Sequence, residues 1–147
     1  MKEAIINKDV NSSNTYSQFQ TVRVTEDITI SEDIKLGILG QLIIDEGASI
    51  TIEDGAFLYI GAMHTFDPEQ DVDDQTTSAT ASVIMNGDME IKSGGTFQVV
   101  AGKSVDIYGD VETAGTFNAT AKTVLKNGAS MEVSEGGLLE EIGRAHV

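Results

Sequence analysis

Short runs in which apolar and polar residues alternate cover the chain from Thr21 to Leu139. Most runs are bounded by glycine or by acidic residues, as in the segment from Gly47 to Ala56. Alternation with a period of two predicts β-strands that bury one face, and glycine allows tight corners between them. The pattern therefore predicts an all-β chain made of many short strands.

The predicted strands form groups of three that repeat about every 20 to 24 residues, which is typical of a solenoid coil. The expected inward residues are Val22, Val24, Leu42, Ile44, Val83, Met85, Val105, Ile107 and Val124 on the first face, Ile28, Ile30, Ile50, Ile52, Met89, Ile91, Val111, Thr113, Met131 and Val133 on the second, and Ile34, Leu36, Leu58, Ile60, Phe97, Val99, Phe117, Ala119 and Leu139 on the third. This register predicts a three-faced parallel β-solenoid of about five coils. The alternative is an antiparallel sandwich or barrel, which would space its strands more widely and use two-residue hairpin turns.

Three parts of the chain depart from the repeat. Residues 1–20 are polar and aperiodic, and we expect them to form an N-terminal cap on a solenoid domain of residues 21–141. Residues 62–82 contain the single Pro and an acidic run, which predicts a loop inserted at one corner. Residues 142–147 resemble a translated sequencing adapter, so we interpret them as a non-native tail and expect the natural protein to continue past Glu141.

Composition excludes several classes of function. The chain has 9 basic and 24 acidic residues and a net charge of −15, which repels phosphate backbones and makes nucleic-acid partners unexpected. No apolar run reaches membrane-spanning length, so membrane insertion is not expected, and no signal peptide is visible near the start. The chain has no Cys, which excludes disulfides and thiolate metal sites.

One acidic motif is repeated. Gly87-Asp88-Met89-Glu90 recurs as Gly109-Asp110-Val111-Glu112, which places the carboxylates of Asp88, Glu90, Asp110 and Glu112 on neighbouring outward rungs. Like charges this close repel, so a bound Ca²⁺ could compensate them and form a calcium ladder. The alternative is a solvated acidic face that discourages aggregation. No other cofactor is expected.

Residues for catalysis are scarce. Outside the tail, which removes Arg144 and His146 from consideration, the only Arg is Arg23 and the only His is His64, which we expect at the surface. The acidic run from Asp67 to Asp74 lacks the spacing of an EF-hand and is expected to be an exposed loop. A two-carboxylate glycosidase would use Glu90 and Glu112, but sugar clefts usually offer aromatic side chains, and only Tyr59 and Tyr108 are expected to point outward. We therefore predict no catalytic residues.

Over residues 21–139 the repeats, such as the one from Gly47 to Ala56, resemble the right-handed parallel β-helix group, which includes adhesins, phage tailspikes and pectate-lyase-like enzymes. Bactofilin-type filaments are similar, although their repeats are shorter and more uniform. The resemblance implies a non-catalytic structural or adhesive segment of a larger extracellular protein, on a cell surface or a virion. Its implied partners are carbohydrate or protein surfaces and further repeats of the parent chain. A carbohydrate-active lyase or glycosidase fragment and a bactofilin-like filament-forming solenoid remain alternatives.

Overall fold

The computed structural model describes residues 2–141 and 145–146. Its elements are β1 (Lys2–Ile6), β2 (Asn14–Tyr16), β3 (Gln20–Val24), β4 (Asp27–Ile30), β5 (Lys35–Ile38), β6 (Gln41–Ile44), β7 (Ser49–Ile52), β8 (Phe57–Ile60), the 3-10 helix η1 (Val72–Asp74), β9 (Ser82–Met85), β10 (Asp88–Ile91), β11 (Thr96–Val99), β12 (Ser104–Ile107), β13 (Asp110–Thr113), β14 (Thr116–Ala119), β15 (Lys122–Leu125), β16 (Ser130–Val133), β17 (Leu138–Glu141) and β18 (Ala145–His146). No α-helix occurs among these residues, and no helix in the described chain is long and apolar enough to cross a membrane.

The strands form three sheets in which neighbouring strands run parallel. The first sheet has the order β1-β3-β6-β9-β12-β15-β18, the second β4-β7-β10-β13-β16, and the third β2-β5-β8-β11-β14-β17. From β2 onward each strand pairs with the strand three positions later, so the chain visits the three sheets in turn and climbs one coil per visit. This confirms the predicted three-faced parallel β-solenoid, with about 6 turns, and excludes the antiparallel alternative.

The additional turn comes from the N-terminal segment. Strand β1 pairs with β3, Val10 makes a bridge with Ile30, and β2 pairs with β5. Residues 2–16 thus form a first coil whose strands the sequence analysis does not predict, because polar residues interrupt the alternation. The proposed role of residues 1–20 as a cap stays a prediction. The proposed tail at 142–147 lies outside the described residues except for Ala145 and His146, whose backbone pairs with β15.

The core is a stack of inward side chains that repeat from coil to coil. Phe97 pairs with Phe117 and both are fully buried, with ring centroids 4.9 Å apart and an interplanar angle of 36°. The second face has the predicted register throughout, from Ile28 over Ile50 to the later coils. Burial of these apolar side chains is the main force that holds each coil on the next.

Two residues that were predicted to face inward, Ile34 and Val124, do not do so. Leu36 and Ile38 pair with the buried Leu58 and Ile60, so Ile38 takes the place assigned to Ile34, which packs at the corner and is only partly buried. The segment Ile34-Lys35-Leu36-Gly37-Ile38 has three alternating apolar positions, whereas a strand of this length buries only two. The neighbouring strand decides which two face inward.

In β15 the inward residues are Thr123 and Leu125, which pair with Val105 and Ile107. Val124, the predicted inward residue, pairs with Asp106 on the outward side. The partner strand again fixes the register, because a slip by one residue would turn every side chain of β12 or β15 to the wrong face.

The insertion at residues 62–82 folds back on the outer surface of the third sheet. Ala62 and Thr77 form an antiparallel bridge at its base, and η1 lies within it. Phe66, from the insertion, packs edge-on against Tyr59 of β8 with centroids 5.2 Å apart. A small apolar cluster outside the solenoid core, made of Tyr59, Ala62 and Phe66, therefore holds the insertion in place.

Candidate functional site

The four predicted site residues lie on the outer surface of the second sheet. Glu90 of β10 pairs with Glu112 of β13, and Asp88 and Asp110 begin the same two strands. The structure thus brings the repeated motif onto adjacent rungs, as the spacing predicts. A shallow groove of about 210 Å³ runs along this surface, and its lining residues are Ser49, Thr51, Asp88, Met89, Glu90, Asp110 and Glu112.

The aspartates of this groove are hydrogen-bonded from coil to coil. Asp88 Oδ1 accepts the backbone N–H of Asp110 at 2.9 Å, and Asp110 Oδ1 accepts the hydroxyl of Ser130 at 2.6 Å. In earlier coils of the same sheet, Asp27 Oδ1 accepts the hydroxyl of Ser49 at 3.0 Å. Hydrogen bonds to an ionised carboxylate are stronger than neutral ones. These aspartates therefore link neighbouring coils, a use that the sequence analysis does not predict.

The glutamates of the groove are closer to solvent. Glu90 Oε2 lies 3.1 Å from Lys92 Nζ, with both side chains 47% exposed, so this ion pair contributes little to stability. Glu112 and Glu132 occupy the next two rungs and are exposed. Water can solvate these charges, which weakens the repulsion expected along the column.

Calcium binding by this ladder stays a prediction. Within the described part of the chain, no group of three or more His, Asp or Glu side chains is arranged to hold a metal ion. Asp88 and Asp110 each retain a second carboxylate oxygen, and Glu90 and Glu112 face the same groove. These oxygens are the donor type that Ca²⁺ prefers, although Ca²⁺ needs six to eight of them around one point.

The single Arg outside the tail has a structural position. Arg23 Nη1 donates to Asp45 Oδ1 at 2.6 Å and Arg23 Nε donates to Glu3 Oε2 at 3.2 Å. The hydrogen bond with Asp45, followed by that with Glu3, raises the pKa of the Arg23 guanidinium above its usual value. Arg23 therefore links three successive coils on the first face and lies away from the acidic groove.

His64 is half-buried and not simply exposed. The hydroxyl of Thr15 accepts the backbone N–H of His64 at 2.8 Å and lies 2.6 Å from its Nδ1. This double contact joins the start of the insertion to β2 in the first coil.

Farther along the insertion, Asp71 caps η1 by accepting the N–H of Asp73, and Asp67 accepts the N–H of Glu69 at 2.9 Å. The acidic run is an exposed loop, as predicted, whose first carboxylates stabilise turns.

The two tyrosines expected to point outward behave differently. Tyr108 is 47% exposed, and Lys126 Nζ lies 5.9 Å from its ring centroid. Tyr59 points away from the solenoid core, as expected, but the insertion covers its ring, which is only 1% exposed. Burial, with a smaller effect from the charge of Asp67, raises the pKa of Tyr59 to about 12.

Comparison with known proteins finds no matching family model, no matching curated protein and no matching solved structure. The support for the resemblance to parallel β-helix proteins thus comes from the structure, and it extends to the β-solenoid fold. The division of that group into adhesins, tailspikes and enzymes gains no support from relatives of this chain.

Proposed function

We propose that the chain is a non-catalytic structural or adhesive segment of a larger protein on a cell surface or a virion. The observation that carries this proposal is the continuous stack of about 6 coils, held by one apolar core and by three parallel sheets. At about 4.8 Å per coil, such a stack forms a rod about 29 Å long. Each coil buries its apolar side chains only against its neighbours, so a solenoid extends a rigid surface rather than enclosing a site.

The side chains on the outside of the second sheet support the same proposal. Asp27, Asp88 and Asp110 use one carboxylate oxygen each to hold the next rung, so the acidic residues first stabilise the stack. The remaining polar groups recur at the inter-strand distance of about 4.8 Å. A repeating row of this kind suits a repeating partner, such as a carbohydrate chain or an extended protein surface.

A second candidate function is hydrolysis or lysis of a polysaccharide. The groove on the second sheet favours it, because Glu90 and Glu112 pair across adjacent strands within that groove. Adjacent rungs are about 4.8 Å apart, close to the separation of about 5 to 5.5 Å between the carboxyl groups of retaining glycosidases. Lys92, paired with Glu90, would be the nearest base for a lyase.

One experiment separates the two functions. The chain is incubated with a panel of neutral and acidic polysaccharides while binding is followed by surface plasmon resonance and product by reducing-end release and by the ultraviolet absorbance of unsaturated uronates. We expect no product above the blank, whether or not a polysaccharide binds. Product that is released by the unsubstituted chain and lost in the double variant Glu90→Gln, Glu112→Gln would overturn the non-catalytic proposal.

The same double variant tests the calcium ladder. If Ca²⁺ binds to the ladder, calorimetric titration of the unsubstituted chain with CaCl₂ gives a saturable heat that the double variant loses. The matched control is Glu26→Gln, Glu46→Gln, which removes the same charge from two exposed residues at the corner between the first and second sheets, one before β4 and one after β6. Equal heats in both double variants would reject a specific ladder site.

A further inference from the structure

The outer surface of the first sheet carries a column in which two apolar side chains lie between two charged ones. The register of β3, β6, β9 and β12 places on successive rungs the outward residues Arg23, Ile43, Ile84 and Asp106. Ile43 and Ile84 are partly exposed, and neither belongs to the apolar cluster of the core or to that of the insertion. We call this set of four residues the outer column. Its centre presents apolar surface to solvent, and its two ends carry opposite charges.

The outer column is self-complementary when it is read in the opposite direction. Reversal places the aspartate opposite the arginine and one isoleucine opposite the other, so a cation meets an anion and an apolar side chain meets another. The next rungs extend the match, because Ile5 lies beyond Arg23 and Val124 lies beyond Asp106. Every rung from β1 to β15 is thus matched by its counterpart in a reversed copy.

A second column on the same surface follows the same rule. It lies two residues earlier in each strand, begins with Glu3 on β1 and ends with Lys122 on β15. The residues between these two charges are uncharged, namely Thr21, Gln41, Ser82 and Ser104. Reversal therefore brings Glu3 opposite Lys122. The two columns together are electrically neutral, although the chain has a net charge of −15.

The other two outer surfaces are less suited to a second copy of this chain. In the described strands of the second sheet, the outward residues include no basic and six acidic side chains, Asp27, Asp88, Glu90, Asp110, Glu112 and Glu132. Two such surfaces would repel each other. The insertion covers part of the third sheet, where Phe66 packs on Tyr59. The first sheet is therefore the surface on which charge favours contact with a second copy.

Hydrogen bonds within the chain hold the Arg23 guanidinium at this surface. Its Nη1 donates to Asp45 and its Nε donates to Glu3. These two bonds leave the N–H groups of Nη2 for another acceptor, since a guanidinium has five N–H donors. A guanidinium that is already held in place loses less freedom when a carboxylate of a second copy binds it.

We propose that a second copy of this chain docks on the outer surface of the first sheet, with the two solenoids side by side and running in opposite directions. The two-fold axis lies along the strands, between β6 and β9. Ile43 of each copy then contacts Ile84 of the other, and the arginine and aspartate of the outer column meet in the same way. Such an isologous interface closes after two copies. The pairing goes beyond the proposed function, since it gives the rod a partner that is independent of any polysaccharide.

Charge selects this arrangement over a parallel pair. If the two-fold axis ran along the solenoid instead, each residue would lie opposite its own copy, with Arg23 against Arg23 and Asp106 against Asp106. The paired surface, from β1 to β15, is about 24 Å long and about 13 Å wide. That is small for a protein interface, so we expect a weak and reversible pair with a dissociation constant of about 0.1–1 mM.

Cross-linking tests the pairing at one defined point. The chain has no Cys, so Thr21→Cys and Ser104→Cys each introduce a single thiol. These positions lie on β3 and β12, three rungs or about 14 Å apart. In the antiparallel pair, position 21 of one copy lies opposite position 104 of the other, and two equal positions are about 14 Å apart. A bismaleimide with a reach of less than about 10 Å, or two rungs, therefore joins unlike positions only.

At about 0.5 mM chain, we expect an equimolar mixture of the two variants to cross-link at least about tenfold faster than either variant alone. Adding Ile84→Lys to both variants should slow cross-linking at least about tenfold, because a charge then faces Ile43 at two places in the pair. The matched control is Thr51→Lys, which changes a partly exposed, outward, β-branched residue of the second sheet and should leave cross-linking unchanged. Asp106→Lys, which faces Arg23, should slow it as well, and circular dichroism shows whether each variant keeps its coils.

Three results would overturn the pairing. A mixture that cross-links no faster than the single variants would exclude the antiparallel contact, and faster cross-linking within each single variant would indicate the parallel pair. Equal slowing by Ile84→Lys and Thr51→Lys would show that the contact does not lie on the first sheet. If Ile84→Lys disturbs the coils, the comparison of Asp106→Lys with Thr51→Lys decides the same question. None of these results affects the polysaccharide assay, so failure of the pairing is distinguishable from failure of the proposed function.

Discussion

The hydroxyl of Thr113 lies in an apolar column of the core without a hydrogen-bond partner among the described residues. Thr113 is fully buried, and its neighbours in the second sheet are Ile91 on one side and Val133 on the other. Valine has the same shape as threonine with a methyl group in place of the hydroxyl. We therefore expect Thr113→Val to stabilise the chain.

The expected gain follows from the burial of that single group. A buried hydroxyl without a partner costs about 1–3 kcal/mol, and a methyl in the same place adds favourable apolar burial. Since Val133 above it is 42% exposed, the site lies near the solvent-facing end of the stack and the penalty should fall in the lower part of the range. We expect a gain of about 1–2 kcal/mol, or about 5- to 30-fold in the equilibrium for opening this coil.

Hydrogen exchange is the most direct assay, because solenoid coils interact only with their neighbours and an end coil can open before the rest. Backbone amides of β13 and β16 should exchange about 5- to 30-fold more slowly in Thr113→Val. Urea unfolding followed by circular dichroism should also show a higher midpoint. The matched control is Thr123→Val, where a buried hydroxyl at 3.4 Å from the carbonyl oxygen of Ala121 has an acceptor. Loss of that weak bond offsets the added burial, so the control should be nearly neutral.

Equal effects of the two substitutions would refute this reasoning. If Thr113→Val leaves exchange of β13 and β16 unchanged while both strands remain protected, the hydroxyl has a partner in solution and no penalty exists. If both strands exchange rapidly even in the unsubstituted chain, the last coil is open and the burial of Thr113 in the folded stack is wrong.

Three other predictions concern single contacts. Burial raises the pKa of Tyr59 to about 12, so the neutral phenol contributes fully to stability below pH 10. About 2–3 kcal/mol of that stability is lost as the pH rises from 10 to 12. Alkaline unfolding curves of Tyr59→Phe should lack this loss. Gly61→Ala should lower the urea midpoint far more than Gly47→Ala, because both glycines have positive φ but only at Gly61 would a Cβ overlap neighbouring backbone. Thr15→Val removes both hydrogen bonds to His64, so limited proteolysis within residues 62–82 should accelerate while the coils keep their urea midpoint.

Much of the fold could be predicted because the solenoid repeats the same local rule. Alternation defines each strand, the repeat length defines each coil, and stacking of like residues such as Phe97 on Phe117 makes neighbouring coils agree. The rule fails where alternation is ambiguous. In Ile34 to Ile38 and in Lys122 to Leu125, more than one register is locally acceptable, and only the partner strand selects the inward pair.

Contacts between distant segments could not be predicted in the same way. The alternation of β8 correctly turns Tyr59 away from the solenoid core, but no local pattern shows that Phe66 will cover it. The same is true of the link between Thr15 and His64, which are 49 residues apart in the chain. Such contacts depend on where the insertion folds back, and that is set by packing in three dimensions rather than by periodicity.

The acidic motif shows why a correct position does not fix a role. The repeat of Gly-Asp-x-Glu predicts that Asp88 and Asp110 lie on adjacent rungs, and the register of β10 and β13 agrees. The sequence does not show that a carboxylate at the start of a strand faces the backbone N–H of the equivalent residue one coil later, as Asp88 faces Asp110. That geometry arises from the stacking itself, whereas Asp27 and Asp110 at the equivalent position accept a Ser hydroxyl of the next coil instead. Among the described residues, glutamate two positions later makes no such bond to the next coil: Glu90 pairs only with Lys92 in its own strand region, and Glu112 faces the same groove, so both glutamates are more accessible to a ligand than the aspartates.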